Sequence, residues 1–411
     1  DARWGNFWSI GGSWRMSEEA FMSGISWVDE LKLRASYGQT GNDNVGGYYP
    51  SQTLYSSGRN NGANAGFFSY SVGNNALQWE KNTSADVAVD FEVLGRVRGT
   101  VEYFNRYSDN LLFSVPIPSE SGYTSQNRNI GKMVNRGLEF DANVDILKSS
   151  GGLEWNFALN ATMLTNEITR LPETSRENGI ISGTKKLLEG RSIYDFWLKD
   201  WYGVDPDTGN PLYVYDPASE STPNNLLKEI NGVPVTTNQN NGAYHYAGSS
   251  IPDVYGAFTN SLSYKGFSLS VMFAYSVGGK IYDGNYAGLM STLDGGAISV
   301  GMADRWQNPG DITDVPRISI NNNTNNVAGS DRWLTDASFL NLRNINLGYE
   351  FKKAAIQSLG ISSLRTYVSA ENLFFVSARK GMNPMESFNG TQNVGLYPPS
   401  RVLTLGVNLN F

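Results

Sequence analysis

The residues best suited to chemistry lie in one stretch, RSIYDFWLKDWYGVDPDTGNPLYVY, residues 191–215. It carries Tyr194, Phe196, Trp197, Trp201, Tyr202, Tyr213 and Tyr215. Aromatic faces stack on the C–H groups of a sugar while nearby Asn and Asp bond its hydroxyls. Trp197, Trp201, Tyr202, Tyr213 and Tyr215 are therefore candidate substrate contacts, and the competing reading is loop packing or an aromatic girdle. Within the same stretch, DPDTGN sets Asp205, Asp207 and Asn210 around Gly209. Oxygen ligands at alternating positions around a glycine bend are a weak Ca²⁺ candidate. The stretch lacks a downstream bidentate Glu, and Asp-x-Thr-Gly is equally good turn chemistry.

Other motifs carry less. SVGGKIYDG contains Gly-Gly-Lys but not the spacing of a phosphate loop. His245, the one histidine, has no Ser or Cys beside it and is expected to be exposed in a long loop. NQNNGAYHY and SINNNTNN are expected to be solvated loop. No catalytic residue and no cofactor are expected.

Composition sets the frame for these residues. The chain has 411 residues, no Cys and a formal net charge of -7. Without Cys there is neither a disulfide framework nor a thiolate metal site. A mildly acidic chain argues against nucleic acid, which calls for a basic face. Only 17% of residues are charged, 12% are aromatic and 44 are Gly. That mix suits an all-β protein with many turns. No run of about 18 apolar residues forms a transmembrane helix. The mean hydropathy of -0.35 does not decide solubility, because the spanning strands of a β-barrel alternate and average out.

Period-two alternation recurs along the chain. In GLEFDANVDI, Leu138, Phe140, Ala142, Val144 and Ile146 oppose Glu139, Asp141, Asn143 and Asp145. In the closing RVLTLGVNLNF, Leu403, Leu405, Val407, Leu409 and Phe411 oppose Thr404, Gly406, Asn408 and Asn410. About eleven such strands can be counted. Their connections alternate in length. Links near 16–29, 95–96, 148–152, 265–266 and 352–363 are short. Links near 39–83, 114–136, 170–252, 279–337 and 376–400 are long. Short turns on one side and long loops on the other are the habit of outer-membrane barrels. Four acidic or amide groups in a row, Glu139, Asp141, Asn143 and Asp145, would be costly in a packed core but suit a wet lumen. The expectation is a transmembrane antiparallel β-barrel wall with an apolar outer face and these four residues lining the lumen.

Five segments then carry a resemblance: LKLRASYGQTGNDNVGGYYP, NRGLEFDANVDIL, SIPDVYGAFTNSLSYKGFSLSVMFAYSVGGKIYDG, DRWLTDASFLNLRNINLGYEF and the closing YVSAENLFF with YPPSRVLTLGVNLNF. In order, they closely resemble the C-terminal half of SusC/RagA-type TonB-dependent transporters of Bacteroidetes. The resemblance implies that the eleven strands are half of a 22-stranded outer-membrane barrel with an N-terminal plug. It implies uptake of oligosaccharides or peptides driven through TonB. It also implies a SusD-like lipoprotein lid as partner, and a terminal Phe411 read by the barrel-assembly machinery. DARWGNFWSIGG begins inside a strand-like pattern, so the chain is expected to be a piece of a longer protein lacking plug and N-terminal half-barrel. Two rivals follow from the same residues: a soluble or surface β-rich glycan-binding protein, and a barrel enzyme with a lumenal acid pair.

Overall fold

The computed structural model describes residues 4–44, 49–60, 62, 64–148, 152–219, 227–291, 296–319, 323–392 and 399–411. Eleven strands form one sheet: β1 (Ser9–Arg15), β2 (Val28–Asn42), β3 (Glu80–Val93), β4 (Val97–Pro116), β5 (Ser125–Lys148), β6 (Leu153–Arg170), β7 (Val254–Tyr264), β8 (Phe267–Val277), β9 (Phe339–Glu350), β10 (Ser363–Ser377) and β11 (Val402–Asn410). Each pairs antiparallel with its neighbours in chain order, from β1 at one edge to β11 at the other. The expected all-β wall of about eleven strands is therefore present.

The register sorts the side chains. Trp14, Leu33, Val89, Val101 and Phe140 stand side by side in one row across β1 to β5. The adjacent row, on the opposite face, reads Arg15, Lys32, Asp90, Thr100, Asp141 and Asn160. The apolar face is open: Val101 is 43% and Phe140 37% exposed. On β11, Leu405 is 83% exposed. A soluble sandwich would cover such a face, because apolar area left in water forgoes about 25 cal/mol per Å². A continuous apolar belt of this kind is the surface that lipid wets. The reading as a soluble glycan-binding protein is corrected by it.

The turns explain themselves chemically. Lys265 and Gly266 join β7 to β8 with both φ angles positive (49° and 92°). That is a two-residue turn of the primed type, for which glycine is the natural second residue. The links at 16–27 and 351–362 hold short helical turns, Met16–Glu18 and Ala20–Met22 in the first, Lys353–Ile356 and Gln357–Leu359 in the second. The polar turn expected at 148–152 falls mostly on residues 149–151, which lie outside the described residues. On β11, Gly406 leaves room for the Tyr367 ring of β10. A Cβ there would sit 2.2 Å from the ring.

One expectation about the connections fails. The link near 114–136 is not a long loop. Strands β4 and β5 run on through it, and only residues 117–124 connect them. β5 alone has 24 residues, about 80 Å at 3.3 Å per residue, whereas crossing a bilayer takes about 9–11. The outer part of this hairpin therefore extends past the length a crossing needs, and there SQNRN carries no apolar alternation. Its tip is held by the preceding loop: Asn129 donates to Gln78 O and Gln78 N–H donates to Asn129 Oδ1, both at 2.8 Å.

Candidate functional site

The long loops on the side opposite the tight turns fold into a structure of their own. Strands Tyr244–Ser249, Asp195–Lys199, Lys185–Leu187 and Ile180–Ser182 make one small sheet. Strands Trp201–Val204, Pro211–Val214, Val233–Thr236 and Leu227–Ile230 make a second. Loop 171–253 is tied to loop 278–338 by a parallel bridge between Lys199 and Ser330. Loop 378–401 joins through Tyr282 and Thr391 and through Arg379, which lies 2.7 Å from Asp283. Phe196, Leu198 and Ala247 form one core of this assembly, and Ala287, Met290, Met302 and Trp333 another.

The aromatic candidates divide. Tyr213 is fully enclosed; its hydroxyl donates to Asn325 O at 2.5 Å and burial pushes its phenol above the ordinary range. It is a core residue, and the expectation that it touches substrate is corrected. Trp201 packs edge-on against it at 5.4 Å and carries the Arg332 guanidinium on its ring at 4.6 Å. Burial brings that guanidinium down to about 10. Tyr202 donates its hydroxyl to Ile230 O at 3.2 Å. Tyr215, half-buried, closes a bridge with Gly242.

Trp197 is in a different setting. It stacks on Tyr244 with ring centres 6.0 Å apart and planes 12° from parallel, and meets Tyr246 edge-on at 4.8 Å. Lys186 caps Trp197 at 4.3 Å, Lys199 approaches Tyr244 at 5.2 Å and Arg191 covers Tyr246 at 4.4 Å. Tyr244 and Tyr246 face the same side because they are two residues apart on a strand. NQNNGAYHY is thus not a solvated loop: Asn241 is buried and Tyr244 onward is strand. The period-two Tyr-x-Tyr was the signal that could have found it. In SINNNTNN, Asn323 and Asn326 are likewise buried, and residues 320–322 lie outside the described residues.

The calcium reading of DPDTGN is corrected as well. Asp205 is buried, its carboxylate bound by the Lys228 ammonium and by the Thr208 hydroxyl at 2.5 Å. Burial alone would raise this carboxyl, but Lys228 and Thr208 hold it below its ordinary range. Asp207 contributes its backbone N–H to Asp205 Oδ1 at 3.2 Å, and Asn210 Oδ1 accepts from Arg317 at 3.2 Å. The loop is an Asx turn whose cation is a lysine. His245 is not free either; its Nε2 lies 3.1 Å from Asp331 Oδ2.

On the polar face of the wall, Asp90 and Asp145 are ion-paired. Arg34 Nε donates to Asp90 at 2.7 Å, and Lys32 lies 3.5 Å away. Lys148 and Arg98 flank Asp145 at 3.0 and 3.4 Å, and Asn156 donates to both Asn143 and Asp145. Glu139, Asp141, Asn143 and Asp145 occupy alternate positions of β5 on this face. Several clefts open among the loops. One of about 600 Å³ is bordered by Asp283, Tyr286, Arg379 and Met382. One of about 280 Å³ is bordered by Tyr255, Phe339, Phe388 and Lys280.

An eleven-stranded wall with its apolar side outward and folded loops on one rim has a known counterpart. The profile of the family described as TonB dependent receptor-like, beta-barrel matches residues 2–373. The chain belongs to this family. It is 28% identical to TonB-dependent receptor P39 of Formosa agariphila over 99% of this chain and 43% of that protein. It is 27% identical to TonB-dependent receptor SusC of Bacteroides thetaiotaomicron over 100% of this chain and 40% of that protein. The solved RagAB peptide transporter superposes with a TM-score of 0.82 at 25% identity, covering 100% of this chain and 44% of that one. The chain thus spans about two-fifths of the length of these TonB-dependent receptors. Membership places the wall in the outer membrane, and the folded loop assembly on its extracellular rim.

Proposed function

We propose that this chain supplies the C-terminal half-wall of a TonB-driven importer of oligosaccharides or peptides. The observation that carries the reading is the two-sided wall: an exposed apolar belt backed by a row of ion-paired and amide side chains. A second half-wall pairs with the free edges of β1 and β11, since an unpaired edge in hydrocarbon costs several kcal/mol per backbone group. Glu139, Asp141, Asn143 and Asp145 then face the lumen and keep it wet. The loop assembly forms part of the extracellular mouth, where Trp197, Trp201, Tyr202 and Tyr215 are the remaining candidate substrate contacts. A SusD-like lipoprotein covers that mouth, TonB acts through the part of the receptor outside this chain, and the exposed Phe411 serves as the barrel-assembly signal. No bond is made or broken here; the residues hold, select and release.

The relative solved as a peptide transporter and the stacked, cation-flanked Trp197 surface support a ligand with both flat and polar parts. The test is uptake. Cells with and without the receptor are fed a mixture of oligosaccharides and peptides, and depletion of the medium is followed by mass spectrometry. A subset that disappears only with the receptor and with functional TonB names the substrate. Equal depletion in both strains would sink the proposal.

A further inference from the structure

Asp200, His245 and Asp331 converge on one point of the loop assembly. One carboxylate oxygen from each Asp and one ring nitrogen of the His all lie within 4.8 Å of one another. Backbone pairing holds them there. Asp200 follows the strand Asp195–Lys199, and His245 sits opposite Leu198 on the neighbouring strand. Asp331 arrives from loop 278–338 next to Ser330, the residue bridged to Lys199. Its Oδ1 accepts the Trp201 N–H at 2.9 Å, which leaves Oδ2 aimed at the imidazole.

The surroundings set this group apart. Asp90, Asp145, Asp205 and Asp283 each hold a Lys or Arg. Among the described residues, Asp331 has only His245 as an ionic partner, and Asp200 has no Lys or Arg within salt-bridge distance. Two carboxylates therefore converge on one imidazole without a permanent cation between them. We propose that these three side chains bind one divalent transition-metal ion, Zn²⁺ by preference, and that the ion staples loop 171–253 to loop 278–338.

The donor set makes the choice. Imidazole nitrogen with carboxylate oxygen suits borderline ions such as Zn²⁺. Ca²⁺ takes six to eight oxygens and gains little from a ring nitrogen. Zn–N and Zn–O bonds of about 2.0–2.2 Å put tetrahedral ligands about 3.3 Å apart. The 3.1 Å between His245 Nε2 and Asp331 Oδ2 is already close to that, and the Asp200 oxygen, within 4.8 Å of both, has at most about 1.5 Å to move to reach the same spacing. A fourth position stays open for water or for a group of a bound ligand.

The experiment uses the detergent-purified receptor that contains this chain, stripped with EDTA and titrated with Zn²⁺ by calorimetry. One saturable site per chain is expected in the micromolar range or tighter. Asp200→Asn, Asp331→Asn and His245→Gln should each weaken it at least tenfold. Co²⁺ should give a visible absorption band that the three variants lose. Zn²⁺ should also slow proteolysis within residues 171–253. No saturable Zn²⁺ binding by the unaltered receptor would overturn the proposal without recourse to any variant. So would binding that none of the three substitutions changes, or Ca²⁺ binding as tightly as Zn²⁺.

Discussion

In the wall, Val101, Phe140 and Leu405 hold their side chains out into the surroundings. In the loop assembly, Phe196, Leu212 and Val235 are shut away at 0–1% exposure. Both regions are antiparallel sheet built from alternating apolar and polar residues. The wall turns its apolar side outward because lipid lies there, and its charges to the opposite face, where Arg34 pairs with Asp90 and Arg98 with Asp145 across strands. The loop assembly turns its apolar groups inward instead, and its cations lie against aromatic rings, Lys186 on Trp197 and Arg191 on Tyr246 nearer the surface, Lys185 on Phe196 within the core. The difference shows that alternation records a boundary between two media without saying which is on which side.

Four substitutions or titrations break or sharpen this contrast. The largest effect is expected from Phe196→Ala, which empties the core of the first small sheet and costs about 3–5 kcal/mol. Hydrogen exchange and limited proteolysis should localise the loss to residues 171–253 and 278–338 while the wall stays folded. Loosening of the wall to the same degree would show that the two regions are one cooperative unit.

Next comes Val101→Arg, on the lipid side of β4 about five residues from its tight turn. It should cost about 2–4 kcal/mol in refolding into vesicles. Thr100→Arg, one residue away and facing Asp90 and Asp141, should be nearly silent. Equal losses at the two positions would refute the assignment of faces.

The third effect is a pH slope. Lys185 is buried with its ammonium over the Phe196 ring at 3.2 Å, and burial brings its pKa down to about 7 against the opposing charge of Asp195. Unfolded lysine keeps its proton to about 10.4. Between those values the unfolded form binds more protons, so the loop assembly gains stability as pH rises from about 7 to about 10.4. Below about 7 Lys185 adds no slope. The slope is at most about 1.4 kcal/mol per pH unit. Melting curves of Lys185→Met should lack it, and a slope retained in that variant would assign it to another group.

The smallest effect is Asp90→Asn, which removes the partner of Arg34 and Lys32 on the polar face. Because the pairing is solvated, about 0.5–1 kcal/mol is expected, shrinking in high salt. A loss of several kcal/mol would mean that this face is dry.

Much of the wall was legible in the sequence. The strand count and apolar face of GLEFDANVDI and RVLTLGVNLNF follow from period two alone, since one face meets lipid along the whole crossing. Alternation gave no sign of the outer half of the β4–β5 hairpin, where SQNRN is polar throughout and meets the loop before β3 through Gln126 and Asn129. Aromatic content singled out residues 194–215, yet the sequence could not tell core from surface: Tyr213 is fully enclosed while Tyr215, two residues on, is only half-buried. Nor could it show Asp205 meeting Lys228, a contact between residues 23 apart.

The sequence by itself determined the two-faced strands, the positions of most tight turns and the family, because these depend on neighbours two to four residues apart and on the medium each face meets. Tertiary structure alone decided which aromatics are buried, that loops 171–253 and 278–338 interlock, and that the one histidine has an acidic partner 86 residues away. Such contacts depend on how three loops pack on one rim, and no local period encodes where separate loops will meet.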